Sequence, residues 1–300
     1  MPDHILDISQ EPCRISMDGP LLVLRRNDQP EFRMRMDEIA ALCVSEPATT
    51  ASMRTLGALS SAGVLVVVCD ERRQPSGMLM PLAAHHAQTP RFAMQAQMSR
   101  PTRKRLWRQL VRGKVRHQAA VLVEQLGADC GLESMVAQVL PGDPTNIEAQ
   151  AAAIYWPRLM GEAFRRDPDL PGANSLFNYG YAVLRAVVCR AICGAGLHPT
   201  LGVNHHHREN AFCLADDVME PLRPLVDRVV ISAVTAGEIE LTTPVKQRLI
   251  GAVMGRHRVK EEDRTLFDIA RRMAQSMVQV VMGERRLMAV PRLQFNAAPR

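Results

Sequence analysis

The chain has 300 residues, with 37 basic and 31 acidic side chains and a formal net charge of +6. That length suits one large or two ordinary domains at roughly 100–200 residues each, and the 47% apolar fraction excludes wholesale disorder. No apolar run reaches the ~18 residues of a membrane span. Asp3, Asp7 and Glu11 near the start do not read as a secretory signal, so a cytoplasmic globular protein with no membrane partner is expected.

The first part of the chain reads as strands. Cys13, Ile15 and Met17 alternate with polar residues, Asp18-Gly19 signals a turn, and Leu21 to Leu24 returns. Phe32, Met34 and Met36 alternate again. Ile39 to Val44 and Val64 to Cys69 are short continuous apolar runs, the pattern of buried strands, and one short helix is expected between them at residues 51–62. This predicts a small mostly-β domain over residues 1–85. Residues 71–90 hold three prolines and a glycine, the composition of a linker.

Helical spacing dominates residues 86–300. Leu106, Leu110, Val115, Ala119 and Leu122 suit one helix, or two broken near Gly113. Helices are also expected near 146–165, 178–193, 245–255 and 262–282, with a loose, proline-bearing end. The fold class predicted is α+β: a small N-terminal mostly-β domain followed by a larger all-α catalytic domain. The seven cysteines are scattered without a CxxC pair, so buried reduced thiols are expected rather than a zinc tetrad.

Charge is unevenly spread. From Arg72 through Val123 there is no Asp or Glu, while eleven basic residues occur: Arg72, Arg73, Arg91, Arg100, Arg103, Lys104, Arg105, Arg108, Arg112, Lys114 and Arg116. Such a run needs a polyanion, or acids from elsewhere in the fold, to offset its self-repulsion. Nucleic-acid phosphates meet that need, with Arg100, Arg103, Lys104, Arg105, Arg108 and Arg112 as candidate contacts; a helix face paired to acids on other helices is the structural alternative. Trp107 suits either a base stack or a core.

The acidic residues have a different pattern. Glu148 opens the segment NIEAQAAAIYW, where small residues would let neighbouring helices approach closely. His205, His206 and His207 follow Gly202-Val203-Asn204, and three consecutive side chains cannot all point at one site. Asp216, Asp217 and Glu220 lie in AFCLADDVMEPLRPLVD, where Asp217 and Glu220 (i, i+3) and Asp216 and Glu220 (i, i+4) would share a helix face. Like charges so placed repel by a few tenths of a kcal/mol, a penalty that a divalent cation, or Arg208, Arg223 or Arg228, would remove. Carboxylates suit Mg²⁺ and Mn²⁺, and imidazole suits Mn²⁺. Such a site beside a basic surface suits phosphodiester chemistry. No Gly-rich phosphate loop and no nucleophile elbow is present, which excludes those routes to nucleotide hydrolysis or a covalent protein intermediate.

At these residues the chain resembles the CRISPR-associated adaptation endonuclease and integrase, the first of the Cas proteins. The resemblance is carried by NIEAQAAAIYW, NYGYAVLRAVVCRAI and GLHPTLGVNHHHRENAFCLADDVMEPLRP, in which a Glu is followed by G-x-x-P-x-x-G-x-x-H and A-x-D-x-M-E-P-x-R-P. The repeated His and N-A-F-C-L-A-D-D look most like the branch that accompanies Cas-nine-type (type II) systems. The resemblance implies that Glu148, His205 and Glu220 are catalytic and bind a divalent metal, Mg²⁺ or Mn²⁺. It leaves Asp217 and His206 as supporting residues. It further implies insertion of short double-stranded DNA into the CRISPR repeat array by attack of a DNA 3′-hydroxyl. The implied assembly is a homodimer, with the β part at the dimer contact, in a larger complex with the small second adaptation protein (Cas-two). The other readings of the same residues are a metal-dependent nuclease using water and a non-catalytic helical DNA-binding protein.

Overall fold

The computed structural model describes residues 4–27, 29–69, 75–79 and 85–295. Arg72 and Arg73 of the basic run, and residues 71–74 and 80–84 of the expected linker, lie outside them. The chain forms two compact units, one of residues 1–84 with Thr242–Ile250 and one of His85–Leu241 with Gly251–Arg300.

The first unit is strand-rich. β1 (His4–Ile8), β2 (Arg14–Asp18), β3 (Leu21–Arg25), β4 (Phe32–Arg35), β5 (Ile39–Val44), β6 (Thr50–Ala51), α1 (Met53–Ser61), β7 (Leu65–Cys69) and β8 (Pro75–Leu79) follow in order. They make two four-stranded sheets, β1-β5-β7-β8 and β4-β3-β2-β6. β5 lies parallel to both β1 and β7, which explains its unbroken apolar run: a parallel strand covered on both faces has no solvent side to alternate with. Ile8, Ile15, Leu22, Leu24, Ile39, Leu42 and Leu59 form the core with both sheets and α1 contributing. The Asp18-Gly19 turn joins β2 and β3 in the register Asp18↔Leu21. β8 pairs antiparallel with β7 inside the stretch expected to be a linker; its proline stands at the strand's first position, where a missing N–H is tolerated.

The second unit is helical: α2 (Gln88–Ala96), α3 (Arg100–Leu126), α4 (Leu132–Gln138), α5 (Ile147–Met160), α6 (Ala173–Gly194), α7 (Cys213–Met219), α8 (Arg223–Thr235), the end of α9 (Thr243–Met254) and α10 (Leu266–Val281). It also carries a small sheet, β10-β9-β11, built from β9 (Arg256–Val259), β10 (Glu262–Thr265) and β11 (Leu293–Gln294). The helix expected over 262–282 therefore begins four residues late. The β9–β10 turn is made by Lys260 with φ +56°, a left-handed position without the Gly or Asn that would signal it. Thr265 then caps α10 by accepting from the Asp268 N–H.

α3 is one helix of 27 residues, about 40 Å long at 1.5 Å per residue. It does not break at Gly113. A Cβ there would lie 2.7 Å from Val290 Cγ1 and 3.1 Å from Pro221 Cβ, so the glycine serves close packing inside the helix. Ser99 caps α3 and Gly127 closes it at φ +79°. α6 is apolar and long enough to cross a membrane, yet 72% of its most apolar stretch is buried within the fold. It packs against α7, α8 and α10 as a core helix. Cys13, Cys43, Cys189 and Cys213 are buried thiols.

Candidate active site

Three parts of the helical unit meet at one place. Asp143 and Asn146 together cap α5: Asp143 accepts from the N–H groups of Ile147 (2.9 Å) and Glu148 (3.0 Å), and Asn146 from that of Ala149 (3.3 Å). Three otherwise unpaired donors of the first turn are thereby satisfied, and Glu148 is held on that turn. Glu220 begins a short 3₁₀ turn, Glu220–Leu222, packed against α3. Both carboxylates reach the same ammonium. Lys114 Nζ, from the middle of α3, is 2.6 Å from Glu148 Oε1 and 2.6 Å from Glu220 Oε2.

Arg223 donates from Nε to the other Glu220 oxygen at 2.7 Å. Burial alone would push the Glu220 carboxyl up, but the charges of Arg223 and Lys114 outweigh it and hold it at about 2. Burial likewise works against the charged form of Lys114, and Glu220 and Glu148 overcome it, so its ammonium is held above the usual range. Arg223 lies over the Tyr181 ring at 4.6 Å. Behind it, Tyr155 and Tyr181 both donate to the buried Asp227.

Burial raises the Asp227 carboxyl to about 6 despite these hydrogen bonds. An acid with a raised folded pKa favours the fold below its unfolded pKa, about 3.9, and loses that contribution as pH climbs through about 6. A shift of about two units corresponds to about 3 kcal/mol. In urea unfolding, the stability of Asp227→Asn relative to wild type is therefore expected to climb by about 2–2.5 kcal/mol between about pH 4 and about pH 7. A flat difference would contradict the account of Asp227.

The histidines come from the loop between α6 and α7. Asp217 organises it: its fully buried carboxylate accepts from the N–H groups of Val203 (2.6 Å), Asn204 (3.0 Å) and His205 (3.2 Å), and from His205 Nδ1 (2.7 Å). A carboxylate can only accept, so Nδ1 carries a proton, and in the neutral ring Nε2 keeps its lone pair for a ligand. The Asp217 hydrogen bond, aided by the charges of Asp217, Glu220 and Glu148, raises the His205 pKa against its burial. Gly202 is required here, since a Cβ would lie 2.5 Å from the His205 carbonyl oxygen and 3.0 Å from Asp217 Oδ2. Asp216 turns elsewhere, accepting from Arg185 Nε and Asn210 Nδ2, each at 2.7 Å.

The acidic residues expected to share one helix face thus have separate partners, because α7 ends at Met219 and Glu220 starts a tighter turn. Of the arginines considered as neutralisers, Arg223 pairs with Glu220, whereas Arg228 pairs with Glu124.

An open cavity of ≈ 510 Å³ lies beside His205, lined by Arg100, Arg103, Lys104, Trp107, Asn204 and His206 among others. Trp107 is buried and meets His205 edge-on at 5.6 Å between ring centroids. His207 is exposed. Elsewhere in the basic run, Arg105 donates to the Arg286 carbonyl, Arg108 to that of Val139 and Arg112 to that of Ala137, and all three side chains stay partly exposed. Arg108 and Arg112 thereby satisfy carbonyls at the end of α4, where cations are favoured.

Among the described residues, no three His, Cys, Asp or Glu side chains stand together closely enough to hold one metal ion. The site nevertheless fits one. Glu220 Oε2 is buried, and the neighbour at 2.6 Å is a compact cation that it shares with Glu148. The available donors, carboxylate oxygen and imidazole nitrogen, are those that Mg²⁺ and Mn²⁺ take. Sequence spacing did not reveal Lys114 as part of this cluster, since its partners lie on separate elements far along the chain.

The helical unit thus brings two carboxylates to one ammonium, with His205 on a loop beside a basic cavity, and comparison with known proteins places the chain. Residues 6–139 and 145–261 match the family model described as CRISPR associated protein Cas1. The CRISPR-associated endonuclease Cas1 of Neisseria meningitidis serogroup C (strain 8013) is 37% identical over 246 residues, 80% of each chain. A second Cas1 endonuclease, from Pyrobaculum aerophilum, is 29% identical over 79% of this chain and 85% of its own. Among solved structures, a casposase bound to integration product has a TM-score of 0.83 at 16% identity, over 100% of this chain and 96% of its own. A Cas1 protein from Thermotoga maritima gives 0.78 at 14% identity, over 95% and 99%. A Cas6-RT-Cas1–Cas2 complex also gives 0.78, at 17% identity, over 99% of this chain and 36% of its own. The chain belongs to the Cas1 family.

Proposed function

We propose that this chain is a metal-dependent DNA endonuclease and integrase of CRISPR adaptation, which inserts short double-stranded DNA into the repeat array by transesterification. The observation that best supports this reading is the convergence of Glu148 and Glu220 on one cation, beside a cavity lined by Arg100, Arg103 and Lys104. Glu148, Glu220 and His205 Nε2 would hold Mg²⁺ or Mn²⁺. When bound, the metal would polarise the phosphodiester and offset charge on the leaving oxygen. Asp217 keeps the His205 ring in one tautomer and orientation. Arg223 fixes the Glu220 carboxylate. Arg100, Arg103 and Lys104 receive the DNA phosphates, with His206 at the same cavity.

A DNA 3′-hydroxyl attacks phosphorus at the repeat boundary; one phosphodiester forms as another breaks, so no external energy source is needed. The names of the fold neighbours support DNA and the second adaptation protein as partners; the short fragment and the repeat are the substrates of this reading. A homodimer contacted through the β unit, and a cytoplasmic location, complete it. The ion pairs of Glu220 and Asp216 also favour a second reading, in which the acids merely balance basic side chains of a non-catalytic DNA-binding protein.

The test is to offer a hydroxyl-terminated DNA duplex, a repeat-bearing plasmid and Mn²⁺. Joined products support integration; cut but unjoined plasmid points to water as the nucleophile; unaltered plasmid points to the binding protein. For the basic cavity, Arg100→Glu with Arg103→Glu is expected to weaken DNA binding and flatten the slope of log affinity against log salt by roughly two. An unchanged slope in a fluorescence titration would remove these residues from the DNA path.

A further inference from the structure

The sequence contains 33 arginines and only four lysines, and one of those lysines sits between the two glutamates. This choice has a physical reason. A guanidinium is a planar fork that matches one carboxylate face-on, whereas an ammonium is a compact point charge that can stand between two oxygens from different elements. Lys114 Nζ does so at 2.6 Å from each, with its side chain 14% exposed. It stands at the same 2.6 Å from one oxygen of each carboxylate, the position between two anions that a small cation would take.

We propose that Lys114 is the resident counter-ion of the Glu148–Glu220 pair, that a divalent cation binds there by displacing its ammonium, and that Lys114 thereby sets the metal affinity of the site. The inference rests on the reading of Glu148 and Glu220 as metal ligands. Without metal, the ammonium keeps two close carboxylates assembled that would otherwise repel each other across a poorly screened interior. A divalent ion bonded to the same two oxygens cannot share that space with it.

The test is Mn²⁺ titration of the full chain, followed by the electron paramagnetic resonance of free Mn²⁺, for wild type, Lys114→Met and Glu220→Gln. Lys114→Met is expected to bind Mn²⁺ at least about tenfold tighter than wild type, because a competing charge is gone. It should also melt at a lower temperature than wild type without metal, and gain more from Mn²⁺. If Glu220→Gln loses the ion but Lys114→Met binds within about threefold of wild type, or more weakly, the counter-ion role is overturned while the ligand reading stands. If wild type and Glu220→Gln bind alike, or wild type binds no ion, the ligand reading falls and this inference with it.

Should Lys114→Met fail to fold, wild-type protein labelled with an amine-acylating reagent answers the same question. Modification of Lys114, read by mass spectrometry against the other three lysines, is expected to increase several-fold on adding Mn²⁺; no increase overturns the displacement.

Discussion

Glu220→Gln is expected to lower strand joining by at least about 10³-fold while leaving DNA affinity within about threefold of wild type. The substitution keeps the shape of a buried side chain that meets Lys114 on one oxygen and Arg223 on the other. It removes the negative charge that both cations face and that a metal would require. It also strands two buried positive charges, so a stability loss of about 3 kcal/mol is expected in urea unfolding. Glu148→Ala should lose joining to a similar degree with a smaller stability cost. Glu148 is more exposed than Glu220, with side chains 23% and 4% accessible, and among the described residues Lys114 is its one ion-pair partner. Joining by either variant near the wild-type rate, in the plasmid assay with Mn²⁺, would remove it from the active site.

Asp217→Ala is expected to be the most destabilising change in the loop that carries the histidines, by about 3–5 kcal/mol. Three backbone N–H groups and one imidazole lose their shared acceptor at once. His205 would then be free to rotate and change tautomer, which should reduce joining by about 10–100-fold even where the protein remains folded. Asp217→Asn separates the two effects. Its amide oxygen can still accept from part of the loop, but its NH₂ opposes the remaining donors, so an intermediate stability with impaired joining is expected. Wild-type melting by Asp217→Ala would contradict the assignment of Asp217 as the loop's organiser.

Much of this arrangement was legible in the sequence where the signal is local. The apolar runs of β5 and β7 announce largely buried strands because nothing polar alternates within them. The G-x-x-H spacing and the acids that follow are fixed by a loop that closes on itself: Gly202, His205 and Asp217 are mutually in contact, so their spacing is a direct print of geometry. Signals vanish where the determinant is distant or lacks a characteristic residue. Gly113 suggested a break because helix propensity disfavours glycine, whereas its role is to admit Pro221 and Val290. Lys260 makes a left-handed turn that glycine or asparagine would have advertised, so the β9–β10 hairpin went unread and β10 fell inside the expected helix. Arg108 and Arg112 read as part of a basic run, and their carbonyl partners at the end of α4 could not be named from spacing. Lys114 was hidden among the same basic residues because its meaning depends on two carboxylates brought to it by other elements.

The measurement that tests the central claim most directly is anomalous diffraction from crystals of the full chain soaked in Mn²⁺. The account predicts a peak bonded by one oxygen each of Glu148 and Glu220 and by His205 Nε2. A bound Mn²⁺ held by other residues, with Glu148 and Glu220 still closed on Lys114, would contradict it.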